Sequence, residues 1–83
     1  MSVTVFSATN CAVCHAEMQW LDKKGVAYNE VVVDENDDNM GKLMEATGGV
    51  FQTTPFTIIE IDGKKETISG FDRAKLQSLL GIA

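Results

Sequence analysis

Cysteine, proline, histidine and tryptophan are scarce in this chain: two Cys, one Pro, one His and one Trp among 83 residues. With only Cys11 and Cys14 available, no disulfide framework can hold the fold together. A bridge between residues three apart closes a tiny loop and constrains the unfolded chain little, so the pair reads as chemical rather than structural. Two Cys and one His make at most three ligands from one chain, short of a closed four-coordinate zinc site. Basic residues are also few. Seven Lys and Arg stand against twelve Asp and Glu, the net charge is −5, and no basic stripe appears. That excludes the electrostatics of nonspecific nucleic-acid binding. No apolar run is long enough for a membrane span. There is no linker, internal repeat or low-complexity tract, so residues 1–83 read as a single domain with a modest core.

The opening Met1-Ser2-Val3-Thr4-Val5-Phe6 reads as a strand rather than a leader, and Val3 to Ser7 as buried. The expectation is therefore a reducing, cytoplasmic compartment, where Cys-x-x-Cys is redox-active or metal-binding. Thr9 and Asn10 are both candidate caps for a helix starting near Cys11. Cys14, Met18 and Leu21 share one face of that helix, which ends around Lys23-Lys24-Gly25. Val26 to Val33 reads as a second strand whose apolar end suits cover on both faces. Asp34 to Asn39 is an acidic loop with several possible caps. The Asp34–Asp38 run reads as solvated and lacks the Gly and Glu positions of an EF-hand. Met40, Leu43 and Met44 mark a second helix stopped by Gly48-Gly49. Phe56 to Ile61 and Lys65 to Ser69 form a hairpin across Asp62-Gly63. Asp72 caps a last helix carrying Leu76, Leu79 and Leu80, with Gly81 at its end. The order βαβαββα requires a parallel crossover followed by an antiparallel hairpin, hence a four-stranded mixed sheet with three helices on its faces.

Cys11-Ala12-Val13-Cys14 lies where the first strand hands over to the first helix. Free backbone N–H groups and the helix dipole favour an anion there, so the Cys11 thiol should ionise below the free value of about 8.5. Cys11 can then attack a substrate disulfide, and Cys14, one turn further in, can resolve the mixed disulfide. Cys11 to His15 also spells the Cys-x-x-Cys-His pattern of covalent haem attachment. The absence of a visible export signal and the strand-rich second half weigh against haem. A zinc or iron–sulfur module is the alternative of a different class, with dimerisation supplying the missing ligands. His15 reads as solvated. Trp20 reads as cover for the helix–sheet core on a stripe with Val13 and Lys24, and the Met residues as core filler.

The chain as a whole resembles the glutaredoxins and related redoxins. The resemblance rests on Val3–Ser7, Cys11–Cys14, Lys24-Gly25, the strand ending Val31–Asp34, Thr54-Pro55, and Ile68-Ser69-Gly70-Phe71-Asp72 before the last helix. It implies a thioredoxin-like α/β fold of the glutaredoxin subclass and a cis peptide before Pro55. It also implies a substrate groove at Ala12, Val13, Thr54, Pro55, Gly70, Phe71 and Asp72. Glutathione-dependent members usually carry Cys-Pro-Tyr-Cys, a Lys three residues before the first Cys, and a Gly-Gly turn followed by Asp. This chain has Ala12-Val13, Ala8, Ser69-Gly70 and Arg73 at those places, with Asp72 adjacent. NrdH-type redoxins also lack that Lys and carry Ser-Gly-Phe, as Ser69-Gly70-Phe71 does, though they usually have Trp where this chain has Ile68. The segment from Gly48 to Pro55 is longer than the family's usual spacing. The resemblance thus implies a monomeric dithiol–disulfide oxidoreductase with no resident cofactor. Thioredoxin reductase would reduce it, and it would deliver electrons to a protein disulfide such as that of ribonucleotide reductase. A glutathione-dependent glutaredoxin is the alternative.

Overall fold

Val3 and Val5 alternate with Thr4 and Phe6, and both sets are apolar enough to be covered. That pattern places strand β1 (Ser2–Ser7) in the interior of a sheet. The computed structural model describes residues 2–49 and 54–82. In it β1 pairs in parallel with β2 (Asn29–Val32) and antiparallel with β3 (Phe56–Ile61), which pairs antiparallel with β4 (Lys64–Ser69). The four-stranded order is β2-β1-β3-β4. Helix α1 (Ala12–Lys23) makes the crossover that a parallel pair demands, α2 (Asp37–Ala46) precedes β3, and α3 (Arg73–Leu80) closes the chain. Asp62 and Gly63 turn the hairpin with φ of 50° and 82°. Both central residues of a tight twisted turn need positive φ, which Asp tolerates and Gly takes without penalty.

The two faces of the sheet carry separate clusters. Val3, Val5, Ile59 and Ile68 pack with Cys14, Met18 and Leu21 of α1 and Leu76 and Leu80 of α3. On the other face Phe6, Val33 and Phe56 pack with Leu43 of α2, and Met40 and Val31 flank them. Met18 is core filler as expected, whereas Met40 and Met44 are half-buried; Met1 lies outside the described residues. Trp20 packs against the first cluster, as its stripe suggested, but Val13 does not join it and stands exposed. Asp72 caps α3 through its carboxylate and the Lys75 N–H at 3.1 Å, and Gly81 ends it in the left-handed region. No helix among the described residues is long and apolar enough to cross a membrane.

Three expectations need correction. The second strand is Asn29–Val32 rather than Val26 to Val33, and it lies at an edge of the sheet with Val31 and Val32 half-buried. The Val26 N–H bonds back to Leu21 O at 3.0 Å, so the chain is still leaving α1 there, and Asn29 and Glu30 are exposed. The acidic run Asp34–Asp38 is exposed, as expected, but its last two residues already belong to α2 rather than to a loop. Asn36 caps α2 by accepting from the Asn39 N–H at 2.8 Å, and Asp37 and Asp38 lie in the first turn, where the helix dipole favours negative charge. Neither Thr9 nor Asn10 caps α1; Cys11 does.

Leu21 is fully buried beneath α1. Leu21→Ala should cost about 2–5 kcal/mol through lost transfer energy and the cavity left behind. Urea denaturation should show a lowered midpoint with an unchanged slope.

Candidate active site

The site sits at the C-terminal end of β1. Ser7 ends the strand fully buried, its carbonyl accepting from the Val33 N–H at 2.8 Å and its hydroxyl donating to Glu30 at 3.0 Å. Thr9 then donates its N–H (3.0 and 3.2 Å) and its hydroxyl (2.9 Å) to the Asp34 carboxylate just beyond β2. These bonds pin the turn that leads into α1. Cys11 follows in an extended conformation as the N-cap, and its Sγ accepts the Cys14 N–H at 3.1 Å. A side-chain oxygen usually satisfies such an orphan N–H; here the Cys11 sulfur does.

Cys11 and Cys14 form a disulfide with Cα atoms 5.2 Å apart. Cys14 is fully buried, while Cys11 is half-buried. Thr54 Oγ1 lies 3.7 Å from Cys11 Sγ. The Thr54–Pro55 peptide bond is cis, as the family resemblance implied. Pro55 is fully buried, and its carbonyl accepts the Gly70 N–H at 2.8 Å. Gly70 has a φ of 77°, which ties the two loops together at a backbone conformation only Gly adopts freely.

The tertiary structure thus gathers Cys11, Cys14, Thr54, Pro55 and Gly70. Ala12 and Val13 are exposed on the first turn of α1, and Val13, 51 % accessible, offers an apolar spot beside the sulfur. Two residues of the expected groove are already engaged elsewhere. Phe71 packs edge-on against Trp20 with ring centroids 6.0 Å apart, and the Asp72 carboxylate caps α3. His15 is exposed, as expected, with Nε2 3.4 Å from Thr9 O. The unusual length expected between Gly48 and Pro55 falls largely on residues 50–53, outside the described residues. No group of three His, Cys, Asp or Glu suited to a metal ion occurs among the described residues. A shallow cavity of 180 Å³ opens among Ser2, Val3, Ala27, Tyr28 and Asn29, at the opposite end of β1, and holds no cysteine or charged side chain.

A strand-to-helix Cys pair facing a cis-proline loop on a mixed sheet defines the thioredoxin-fold class of thiol–disulfide proteins. Residues 3–64 match the family model for glutaredoxin, and the chain belongs to the glutaredoxin family, whose members are thiol–disulfide oxidoreductases. The glutaredoxin-like protein NrdH of Lactococcus lactis subsp. cremoris is 37 % identical over 43 residues. That match covers 52 % of this chain and 60 % of the relative, less than two thirds of its length. Among solved structures, a variant of the thioredoxin-like protein BC3987 superposes with a TM-score of 0.82 at 29 % identity, covering 99 % of this chain and 97 % of that one. The NrdH-redoxin of Escherichia coli, described by its thioredoxin-like activity profile, shares the fold with a TM-score of 0.72 at 24 % identity, covering 95 % of each chain.

Sequence reasoning overlooked two residues. Asp34 belongs to the acidic run by composition, yet it is the anchor for Thr9. Glu17 went unremarked, yet it is fully buried, and the Thr57 hydroxyl donates to its Oε2 at 2.6 Å. The signal was present: Cys14, Glu17, Met18 and Leu21 fall at i, i+3, i+4 and i+7, so a carboxylate occupies the apolar face of α1.

Burial pushes the Glu17 carboxyl above its ordinary value of 4.5, and the Thr57 hydrogen bond partly opposes the shift. The folded chain therefore holds this proton more tightly than the unfolded chain does. The stability that comes with the neutral carboxyl is complete below the unfolded value and declines as pH rises through the folded one. Glu17→Gln, which cannot ionise, should gain stability over the wild type as pH is raised from about 4 to about 8 in the oxidised protein. Denaturation at a series of pH values checks this, and a gap independent of pH would refute it.

Proposed function

We propose that this chain reduces protein disulfides, with Cys11 as the nucleophile and Cys14 as the resolving thiol. The unequal exposure of the two cysteines carries the reading: Cys11 is half-buried at the helix start and Cys14 is fully buried beneath it. An incoming disulfide can reach only the first. In the reduced protein the Cys14 N–H and the positive end of α1 favour the Cys11 thiolate. The Cys11–Cys14 pair is the whole redox apparatus in this reading, with no further cofactor. The protein acts as a monomer in a reducing, cytoplasmic compartment.

The electron source we propose is thioredoxin reductase, and the acceptor a protein such as ribonucleotide reductase. The similarity to a curated NrdH protein supports this branch. The charges near the site support it too. Glutathione carries two carboxylates and one ammonium, and its recognition needs matching donors and acceptors. Ala8 supplies no cation before Cys11, Arg73 puts an exposed positive charge at the start of α3, and Asp72 is occupied as the cap. A protein partner can instead dock on the apolar Ala12-Val13 turn.

Two measurements test the proposal. Cys14→Ser should accumulate a mixed disulfide on Cys11, and Cys11→Ser should be inactive; preferential alkylation of Cys14 in the reduced wild type would reverse the roles. Parallel assays with thioredoxin reductase plus NADPH, and with glutathione plus its reductase, should give turnover mainly in the first. Turnover with glutathione alone would assign the chain to the glutathione-dependent branch.

A further inference from the structure

The exchange as described leaves Glu17 unused. Glu17 lies one turn after Cys14 on the same buried face of α1, and both are 0 % accessible. Helical side chains lean toward the N-terminus, so Glu17 leans toward the turn that carries Cys14. Residues at i and i+3 are neighbours, about 5–6 Å apart at Cβ. Thr57 of β3 holds Oε2, while Oε1 is buried with no hydrogen-bond partner among the described residues. A buried carboxyl with an unmatched oxygen destabilises a fold. An aliphatic side chain would fill the same place without that cost, so packing alone does not account for Glu17. Cys14 has a matching problem. To resolve a mixed disulfide its thiol must lose a proton, and its burial keeps bulk water away from the sulfur.

We infer that Glu17 Oε1 is the proton acceptor for the Cys14 thiol during resolution, and the donor that returns the proton when the disulfide is reduced. The inference rests on the roles proposed above for the two cysteines. In the resolving step the Cys14 S–H bond breaks and its proton passes to Oε1. The Cys14 sulfur forms the bond to Cys11 Sγ. The bond between Cys11 and the substrate sulfur breaks, and that sulfur leaves as a thiolate with the electron pair. The dithiol is oxidised, the substrate disulfide is reduced, and the proton stays on Glu17. When a reductase thiol opens the Cys11–Cys14 bond again, the proton returns to Cys14.

The disulfide-bonded state fits this cycle, because burial there favours the neutral carboxyl. Other titratable groups on this face of the sheet lie at its margins. By register and packing they are Tyr28 and Glu30 on the β2 side, Lys64 and Glu66 on β4, and Asp72, Arg73 and Lys75 at the start of α3, with His15, Asp22 and Lys23 on α1 itself and Lys24 at its C-cap. All are exposed except Tyr28, which is half-buried.

The reaction of the reduced protein with dithionitrobenzoate separates the steps. Attack by Cys11 releases the first thionitrobenzoate, and resolution by Cys14 releases the second. In Glu17→Gln the first phase should keep its wild-type rate. The second should slow by about a hundredfold or more near neutral pH, the usual scale of general-base contributions, and lose the pH dependence set by the carboxyl. Glu17→Asp should recover part of the rate. An unchanged second phase and pH profile in folded Glu17→Gln would overturn the inference. Loss of the first phase in wild type, or its persistence in Cys11→Ser, would instead overturn the cysteine roles. Should Glu17→Gln fail to fold, infrared difference spectra of wild type labelled with ¹³C-glutamate decide the matter. Reduction should abolish a protonated glutamate carboxyl band, and the absence of any such change would overturn the proposal.

Discussion

The amide of Cys14 donates to Cys11 Sγ over 3.1 Å, so the cap of α1 is the sulfur of the more accessible cysteine of the pair. Helix termini leave N–H groups that must find an acceptor, and most helices meet that need with a Ser, Thr, Asp or Asn oxygen. Here Thr9 is drawn away to Asp34 and the sulfur takes the position. The rest of the site follows from holding that sulfur in place. Parallel pairing of β1 with β2 puts Asp34 beside the turn, and antiparallel pairing of β1 with β3 carries Thr54 and Pro55 to the other side.

The two sides of the sulfur are held by different kinds of bond. At the turn itself the contacts on the β2 side are exposed and charge-assisted, from Thr9 to Asp34, and the edge strand that supports them is short. On the β3 side the contacts are buried backbone and packing interactions, with the Pro55 carbonyl bound to the Gly70 N–H. The Thr54–Pro55 side of Cys11 is thus held mainly by buried contacts, and the Thr9 turn by exposed ones. Local opening favours regions held by exposed hydrogen bonds over those held by buried packing.

Glu17 breaks the agreement between local pattern and global fold that the rest of the chain maintains. The other inward positions of α1, Cys14, Met18 and Leu21, are apolar. Disagreements of this kind concentrate at functional sites, because only function repays the stability they cost. The position beside the redox pair makes Glu17 such a case rather than an accident of the surface.

The sequence by itself determined the element order, the hairpin at Asp62-Gly63, the caps of α3 and the placement of Cys11 and Cys14 at a helix start. Each depends on local chemistry: side-chain periodicity, turn residues with positive φ, and capping groups a few residues from their targets. Tertiary structure alone decided that β2 and β4 lie at the two edges of the sheet. It also decided that Asp34 would take Thr9 away from α1 and leave the cap to Cys11. The fate of Glu17 was half legible. Its helical spacing placed it on the apolar face, but its full burial and its bond to Thr57, forty residues away, needed β3 to close against α1. Competition between a near and a distant partner for the same donor is settled by which of them the sheet brings within hydrogen-bond range, and local spacing carries no record of that distance.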